Sequence, residues 1–126
     1  MMAQTQTQPA PRRIVVLNAL PLNALPRQPL QLVVEPMSIV SAAMWLNHMA
    51  RQGYEIVHFI RHQATIELLR GLGAPIDERP NTGLYQWQEG DILIVVTLRQ
   101  PSRGVEVQQV RPEDLEAWEV RIQPIA

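Results

Sequence analysis

The sequence predicts an α/β domain, a single mixed β-sheet of about five to six strands with flanking helices. Two patterns predict the elements. Apolar, β-branched runs of strand length recur along the chain, as in "IVVLN" (Ile14 to Asn18) and "ILIVVTL" (Ile92 to Leu98). Between them, Ile39, Ala42, Ala43, Leu46, Met49 and Ala50 return at helical spacing. A third observation sets the class: strands and helices mix throughout, and no internal repeat divides the chain.

The elements follow in order. Residues 1–12, rich in Gln, Thr and Pro, read as a flexible tail without the apolar core of a signal peptide. The domain spans residues 13–126. "IVVLN" is a buried strand. "ALPLNALPRQP" carries prolines at 21, 26 and 29, which preclude an ordinary helix and make a structured loop. "LQLVVE" (Leu30 to Glu35) is the next strand. Ser38 caps a helix running to about Gln52, with Gly53 suited to its end. Met44 and Trp45 lie off its apolar stripe, placed either to widen the core face or to meet a partner. "EIVHFI" (Glu55 to Ile60) is a strand. "ATIELLRGLG" is a short helix with Ile66, Leu69 and Leu72 as its stripe. "LYQWQ" (Leu84 to Gln88) alternates like a half-exposed strand, "EGD" (Glu89 to Asp91) turns, and Ile92–Leu98, apolar on both faces, is the central strand. "VEVQQ" (Val105 to Gln109) suits an edge strand. "RPEDLEAW" (Arg111 to Trp118) suits one to two helical turns with Pro112 at the first position. "WEVRIQ" (Trp118 to Gln123) alternates and closes the domain.

Composition narrows the function. The chain of 126 residues fits one domain large enough to bury a core without staples. It has no cysteine, which excludes disulfides, thiolate nucleophiles and Cys-ligated metals. A formal net charge of −1 offers no global field for long nucleic acid. No apolar run is long enough to span a membrane, and a cytoplasmic location is expected. Walker A, GxGxxG, HExxH and GxSxG patterns are absent, as is any metal-ligand spacing of His, Asp and Glu. No metal and no cofactor are therefore expected. Glu113, Asp114 and Glu116 read as a solvated helix face.

The chemistry that remains centres on "FIRHQATIELL" (Phe59 to Leu69). His48 faces solvent on the first helix, and His58 inside a strand is a hydrogen-bonded structural residue. His62 differs, because a strand stops there and a helix N-terminus follows. Free N–H groups at such a terminus attract anions, Thr65 adds a hydroxyl, and an imidazole beside a phosphate serves as general acid or base near neutral pH. The bland alternative is a histidine that ends a strand and caps a turn. Arg61, Arg99 and Arg103 are candidate phosphate-binding cations. Arg99 and Arg103 flank the end of the most buried strand, where α/β sheets place ligand crevices. Asn18 ends a buried strand and Asn23 lies in the Pro-rich loop, each placed either to satisfy loop backbone or to read a ligand edge.

Taken together, three segments resemble one family, the small proteins of archaeal viruses and bacteria that include the viral anti-CRISPR ring nucleases. "VVLNALPLNALP" (Val15 to Pro26) is similar to the family's strand ending in Asn-Ala with a second Asn beyond. "IRHQATIELLRGLG" (Ile60 to Gly73) is similar to its Gly-His-x-Ser-Thr segment leading into a helix. "EGDILIVVTLRQPSRG" (Glu89 to Gly104) is similar to its Gly-Asp turn, apolar strand and Arg-Gln loop. Order and spacing agree from Arg13 to Gln123.

The resemblance implies an α/β homodimer that binds cyclic tetra-adenylate, the messenger of type III CRISPR defence, across its two-fold axis. It implies metal-independent cleavage, in which a ribose 2′-hydroxyl attacks the neighbouring phosphate and a histidine protonates the leaving 5′-oxygen. That role falls on His62, with Asn18, Asn23, Arg61, Thr65, Arg99, Gln100 and Arg103 as ligand-binding positions. The sequence departs from the family form at Pro21 and Arg61, and at Ala64, where the family has serine. It departs also at Arg103, which aligns with a glutamate, and near Thr82, where a family arginine has only Arg79 as a nearby substitute. Two other readings stand beside cleavage: a protein that sequesters the ring without cutting it efficiently, and a dimeric nucleic-acid-binding protein. The sequence leaves open a viral anti-defence role or a host regulatory one.

Overall fold

A strand made only of apolar and β-branched residues can bury both faces only in the middle of a sheet. The computed structural model, which describes residues 12–99 and 110–125, puts such a strand there. The described strands are β1 (Arg13–Leu17), β2 (Leu30–Ser38), β3 (Glu55–His58), β4 (Ile92–Leu98) and β5 (Leu115–Pro124). They form one sheet in the order β2-β5-β4-β1-β3, with β4 at its centre. β1 pairs in parallel with β3 and β4, while β5 runs antiparallel to β4 and β2. The described residues thus form one small α/β domain with a mixed sheet and two α-helices, α1 (Ile39–Arg51) and α2 (Gln63–Gly71).

Both helices lie on one face. Ile39, Ala42, Ala43 and Leu46 of α1 and Ile66 and Leu69 of α2 are buried with Ile14, Val16, Ile92, Ile94 and Val96 of the sheet. Ser38 caps α1 as its spacing predicts, its side chain accepting from the Ser41 N–H at 3.0 Å. Gly53 and Gly73, just past the two helices, have φ of +95° and +98°, values that favour glycine as a helix stop. Trp45 packs against the core, whereas Met44 stays exposed.

Loops cover the other face. Ala24, in a short 3-10 turn at Leu22–Ala24, and Tyr85 pack on Val15, Leu17, Leu93, Val95, Val120 and Ile122. Here the sequence expectation needs correction. Leu84–Gln88 alternates in burial but forms no strand, because it crosses the sheet face instead of joining a ladder. One backbone bond, from the Trp87 N–H to the Ala24 carbonyl at 3.0 Å, ties it to the neighbouring loop.

Three further boundaries differ from expectation: β3 stops at His58 instead of running to Ile60, and two others follow. The helix expected at Arg111–Trp118 is only a 3-10 turn at Pro112–Asp114, and Leu115 already pairs with Leu98. Long-range pairing with β4 and β2 overrides weak local helix propensity. β2 runs past Glu35 to Ser38, through Pro36. The Ile125 N–H donates to the Pro29 carbonyl at 3.1 Å, so by antiparallel alternation the odd residues of β2 bond to β5. The nitrogen of Pro36 therefore faces the sheet's outer edge, where a missing N–H breaks no bond to β5. Residues 1–11 of the tail expected at 1–12, the edge strand expected at Val105–Gln109, and the site candidates Gln100 and Arg103 lie outside the described residues.

Candidate functional site

The carboxyl ends of β3, β1 and β4 stand side by side, with β1 in the middle. Asn18 follows β1, Arg99 follows β4, and Phe59 to His62 follow β3. The chain leaves β1 toward the loop-covered face, where Leu20, Ala24 and Leu25 pack, and leaves β3 toward the helical face through α2. Neighbouring parallel strands whose connections part to opposite faces open a crevice at their carboxyl ends, the usual ligand position in α/β sheets.

His62 is the N-cap of α2, with extended backbone (φ −89°, ψ 108°), and is half-buried. Its carbonyl accepts the N–H groups of Thr65 at 3.1 Å and Ile66 at 3.2 Å. Its ring Nδ1 lies 2.9 Å from the hydroxyl oxygen of Thr65, which is only 5% exposed. The preceding N–H groups, of Gln63 and Ala64, meet no acceptor among the described residues, so the positive end of α2 retains donors for an anion.

The other described candidates do not lock together with His62. Arg61 is exposed and reaches the Gly83 carbonyl at 3.4 Å. Asn18, Asn23 and Arg99 are exposed, and their side chains bond to none of the described residues. Arg99 is fixed by its backbone alone, its N–H donating to the Asp114 carbonyl at 2.9 Å. β3 and β4 are two strand spacings apart, so the residues leaving them are separated by about 10 Å at the sheet edge, a span suited to an extended polyanion rather than a single ion.

His58 is buried and structural, as its position in a strand suggested. Its Nε2 is 2.8 Å from the Asp77 carbonyl, and its own carbonyl accepts the Asn81 N–H at 2.8 Å. These bonds tie residues 77–81 to the end of β3 and so place Gly83 where Arg61 meets it. His48 is exposed on α1. Among the described residues, no cluster of three His, Asp or Glu is placed to hold a metal ion, and no helix is long and apolar enough to cross a membrane.

A second polar cluster, at the opposite end of β1 and β4, escaped the sequence reading. Arg13 clamps Asp91 through Nε to Oδ1 at 2.8 Å and Nη2 to Oδ2 at 3.0 Å. The Tyr85 hydroxyl and the Gln88 N–H also donate to Oδ2, at 2.7 and 3.0 Å. Arg13 sits over the Tyr85 ring, 5.6 Å from its centroid. Burial, and then the hydrogen bond to Asp91, push the Tyr85 phenol well above its ordinary value. One signal could have found the cluster. Arg13 and Asp91 each stand directly before a fully apolar strand, and parallel neighbours in the register Ile14 opposite Ile92 set them side by side.

Comparison with solved structures now bears on the class of fold. The chain is similar to B116 of Sulfolobus turreted icosahedral virus, with a TM-score of 0.65 and 18% sequence identity over 86% of this chain and 97% of that one. The α/β arrangement described here is thus one that a small viral protein also adopts. No protein-family profile matches the chain, and no curated protein matches it in sequence.

Proposed function

We propose that the chain is a metal-independent ring nuclease that cleaves cyclic oligoadenylate, with cyclic tetra-adenylate as the expected ring. The observation that carries this reading is the seat of His62: a histidine at a helix N-terminus, on the carboxyl edge of parallel strands, with its ring tethered to Thr65. The resemblance of the three sequence segments supplies the substrate class, and the viral fold relative is compatible with it.

RNA carries its own nucleophile, so the protein need only align it, stabilise phosphorane charge and protonate the leaving group. The 2′-hydroxyl oxygen bonds to the adjacent phosphorus and its proton passes to water. The bond from phosphorus to the 5′-oxygen breaks, and Nε2 of His62 gives that oxygen a proton. The products are a 2′,3′-cyclic phosphate and a 5′-hydroxyl. The N–H groups at the start of α2 and the guanidinium groups of Arg61 and Arg99 hold the phosphates, with Gln100 and Arg103, carried over from the resemblance, and the amides of Asn18 and Asn23 completing the binding set.

The working form in this reading is a homodimer in the cytoplasm, of the host cell where the protein is viral. A symmetric ring is enclosed most simply by matching surfaces of two copies. Leu22 and Leu84, 77% and 78% exposed on the loops beside the crevice, offer an apolar rim for the second copy.

The test is incubation with labelled rings of three, four and six adenylates in EDTA, with chromatography of the products and light scattering at micromolar protein. Linear products ending in a cyclic phosphate from a dimer are expected. Activity that returns only with magnesium or manganese overturns the chemistry. Tight binding without products favours sequestration, the reading to which Arg103, at a position the resembled family fills with glutamate, lends weight. Salt-dependent retention of duplex DNA in a gel, with no ring bound, favours the nucleic-acid-binding reading.

A further inference from the structure

We infer that the outer edge of β2 is the contact for a second copy of this chain, which pairs with it antiparallel about a two-fold axis at Val33 and joins two sheets into one. β2 is nine residues long, and β5 is its one neighbour in the sheet of described residues. Its odd residues bond to β5, so the backbone N–H and C=O groups of Leu30, Leu32 and Val34 point outward and meet no ladder partner among the described residues. Leu32, Val33 and Val34 are 42%, 40% and 47% exposed. Leu32 and Val34 stand opposite Ile122 and Val120, buried members of the loop-covered core, and so carry that apolar face to the last row of the sheet. A long apolar edge with unmade backbone bonds is a template for another strand, and folded proteins blunt such edges with charge or proline. β2 carries both devices, Glu35 and Pro36, only beyond Val34, and the stretch Leu30 to Val34 carries neither.

The occupant that fits this edge is the same edge. With Val33 on the axis, Leu32 of each copy faces Val34 of the other, and apolar side chains meet apolar side chains. Gln31 faces Glu35 of the second copy. Within one chain Glu35 stands opposite Glu119, a like charge that takes its bond from Arg121 at 2.8 Å, so the Gln31 amide brings Glu35 a donor where β5 offers repulsion. Pro36 falls opposite Leu30 at each end of the ladder, where its carbonyl accepts the Leu30 N–H and its missing N–H stops the pairing. Moving the axis to Val34 sets Pro36 against Leu32 and Glu35 against Val33, and moving it to Leu32 sets Gln31 against Val33, so the side chains fix the register. The pairing is isologous and uses up the edge, and the opposite edge, β3, has only four residues, so assembly closes at two copies. The loop rim at Leu22 and Leu84 offers two side chains, whereas β2 offers a ladder and an apolar face together, which makes β2 the primary contact. Nothing in this pairing depends on catalysis at His62.

The chain has no cysteine, so a single introduced thiol reports the axis directly. Facing residues of a non-hydrogen-bonded antiparallel pair have Cα atoms about 4.5 Å apart, within the reach of a disulfide. Val33→Cys is therefore expected to crosslink into a dimer under mild oxidation, read on a non-reducing gel. Leu32→Cys, whose two copies would lie on a diagonal about 7–8 Å apart, should crosslink far less. Light scattering over a concentration series, with no ring added, gives the second measure. Wild type should be a dimer at micromolar concentration. Val33→Lys, which sets two ammonium groups face to face on the axis, should weaken the dimer by at least about 100-fold, while the β-branched Val33→Thr stays dimeric. Circular dichroism checks each fold, and if Val33→Lys is unfolded the two cysteine variants decide. A monomeric wild type, a dimer that survives Val33→Lys, or a Val33→Cys protein that does not crosslink overturns the inference. Crosslinking of Leu84→Cys in place of Val33→Cys puts the second copy at the loop rim and overturns it too. Assemblies larger than two copies would show an edge that adds strands without closing, and do the same.

Discussion

β1 and β4 carry polar groups at both ends, and the two ends differ in kind. At the amino end, the Asp91 carboxylate receives two bonds from Arg13, one from Tyr85 and one from the Gln88 N–H. Its acceptor capacity is essentially filled from within the chain. At the carboxyl end, the side chains of Asn18, Asn23 and Arg99 bond to no described residue, and the Gln63 and Ala64 N–H groups meet no acceptor among the described residues. A saturated cluster has nothing left to offer a ligand, and its chemistry is spent on holding the fold. An open cluster on a rigid sheet edge is where binding is affordable, because a ligand adds bonds without breaking any. Charge alone does not separate the two: the buried ion pair is the stronger electrostatic feature, yet the weaker functional candidate.

The sharpest way to break this comparison is Asp91→Ala. With the Asp91 side chain only 2% exposed and Arg13 at 16%, removal strands a guanidinium and a phenol in the interior. The expected loss of stability is about 3–5 kcal/mol, the range for breaking a buried pair by deleting one partner. Urea unfolding measures it, and a loss under about 1 kcal/mol would show that the cluster is not structural. His62→Ala is the mirror experiment. It should lower single-turnover cleavage by at least about 100-fold, the lower end for general acid catalysis. Ring affinity and the unfolding midpoint should scarcely move, because the proton is donated in the transition state. Cleavage at the wild-type rate would remove His62 from the reaction.

These ends were not equally legible in the sequence. His62 announces itself through local pattern, since it falls between an apolar, strand-like run and a helical stripe, although β3 itself already ends at His58. Asp91 follows a glycine in a turn and looks like any turn residue. Its partners, Arg13 and Tyr85, lie 78 and 6 residues away, and the first is brought near only by the parallel pairing of β1 with β4. The same division runs through the fold. α1 was legible because Ser38 and its stripe are local signals. The extent of β5 was not, since Leu115 becomes a strand residue through pairing with Leu98 in spite of the helix-start signal at Pro112. Leu84–Gln88 alternates because one side of an extended loop is pressed on the sheet, and alternation reports burial rather than a ladder.

Arg99→Ala probes the open end more gently. The backbone of Arg99 is held through the Asp114 carbonyl, so the side chain can be removed without loosening that bond. Loss of a forked charge-assisted contact should weaken ring binding by roughly 1.5–3 kcal/mol. Titration calorimetry with the His62→Ala protein, which binds without turnover in this reading, gives the comparison. Unchanged affinity would place the phosphate contacts elsewhere on the sheet edge.

The smallest effect expected is Tyr85→Phe, and it carries a pH signature. The variant keeps the ring, with its contacts to Phe59 at 5.7 Å between centroids and to Arg13, and removes only the hydroxyl bond to Asp91. Near neutral pH the cost should be about 1 kcal/mol, since Asp91 retains its other donors. The folded phenol is raised above its ordinary value of about 10 by burial and by the bond to Asp91. A raised folded value means that the stabilisation is fully present below about pH 10. Above that pH the unfolded chain loses the Tyr85 proton while the folded chain keeps it, and stability drains away as the pH climbs toward the folded value. The chain has no cysteine and no lysine, so the usual competing side-chain titrations are missing there, and Tyr54 is common to both proteins. Unfolding free energies measured from neutral pH into that alkaline range should therefore converge, the wild type descending toward the Phe variant. Parallel curves would mean that Tyr85 titrates alike folded and unfolded, and the amino end of the sheet would then be less closed than the carboxyl end.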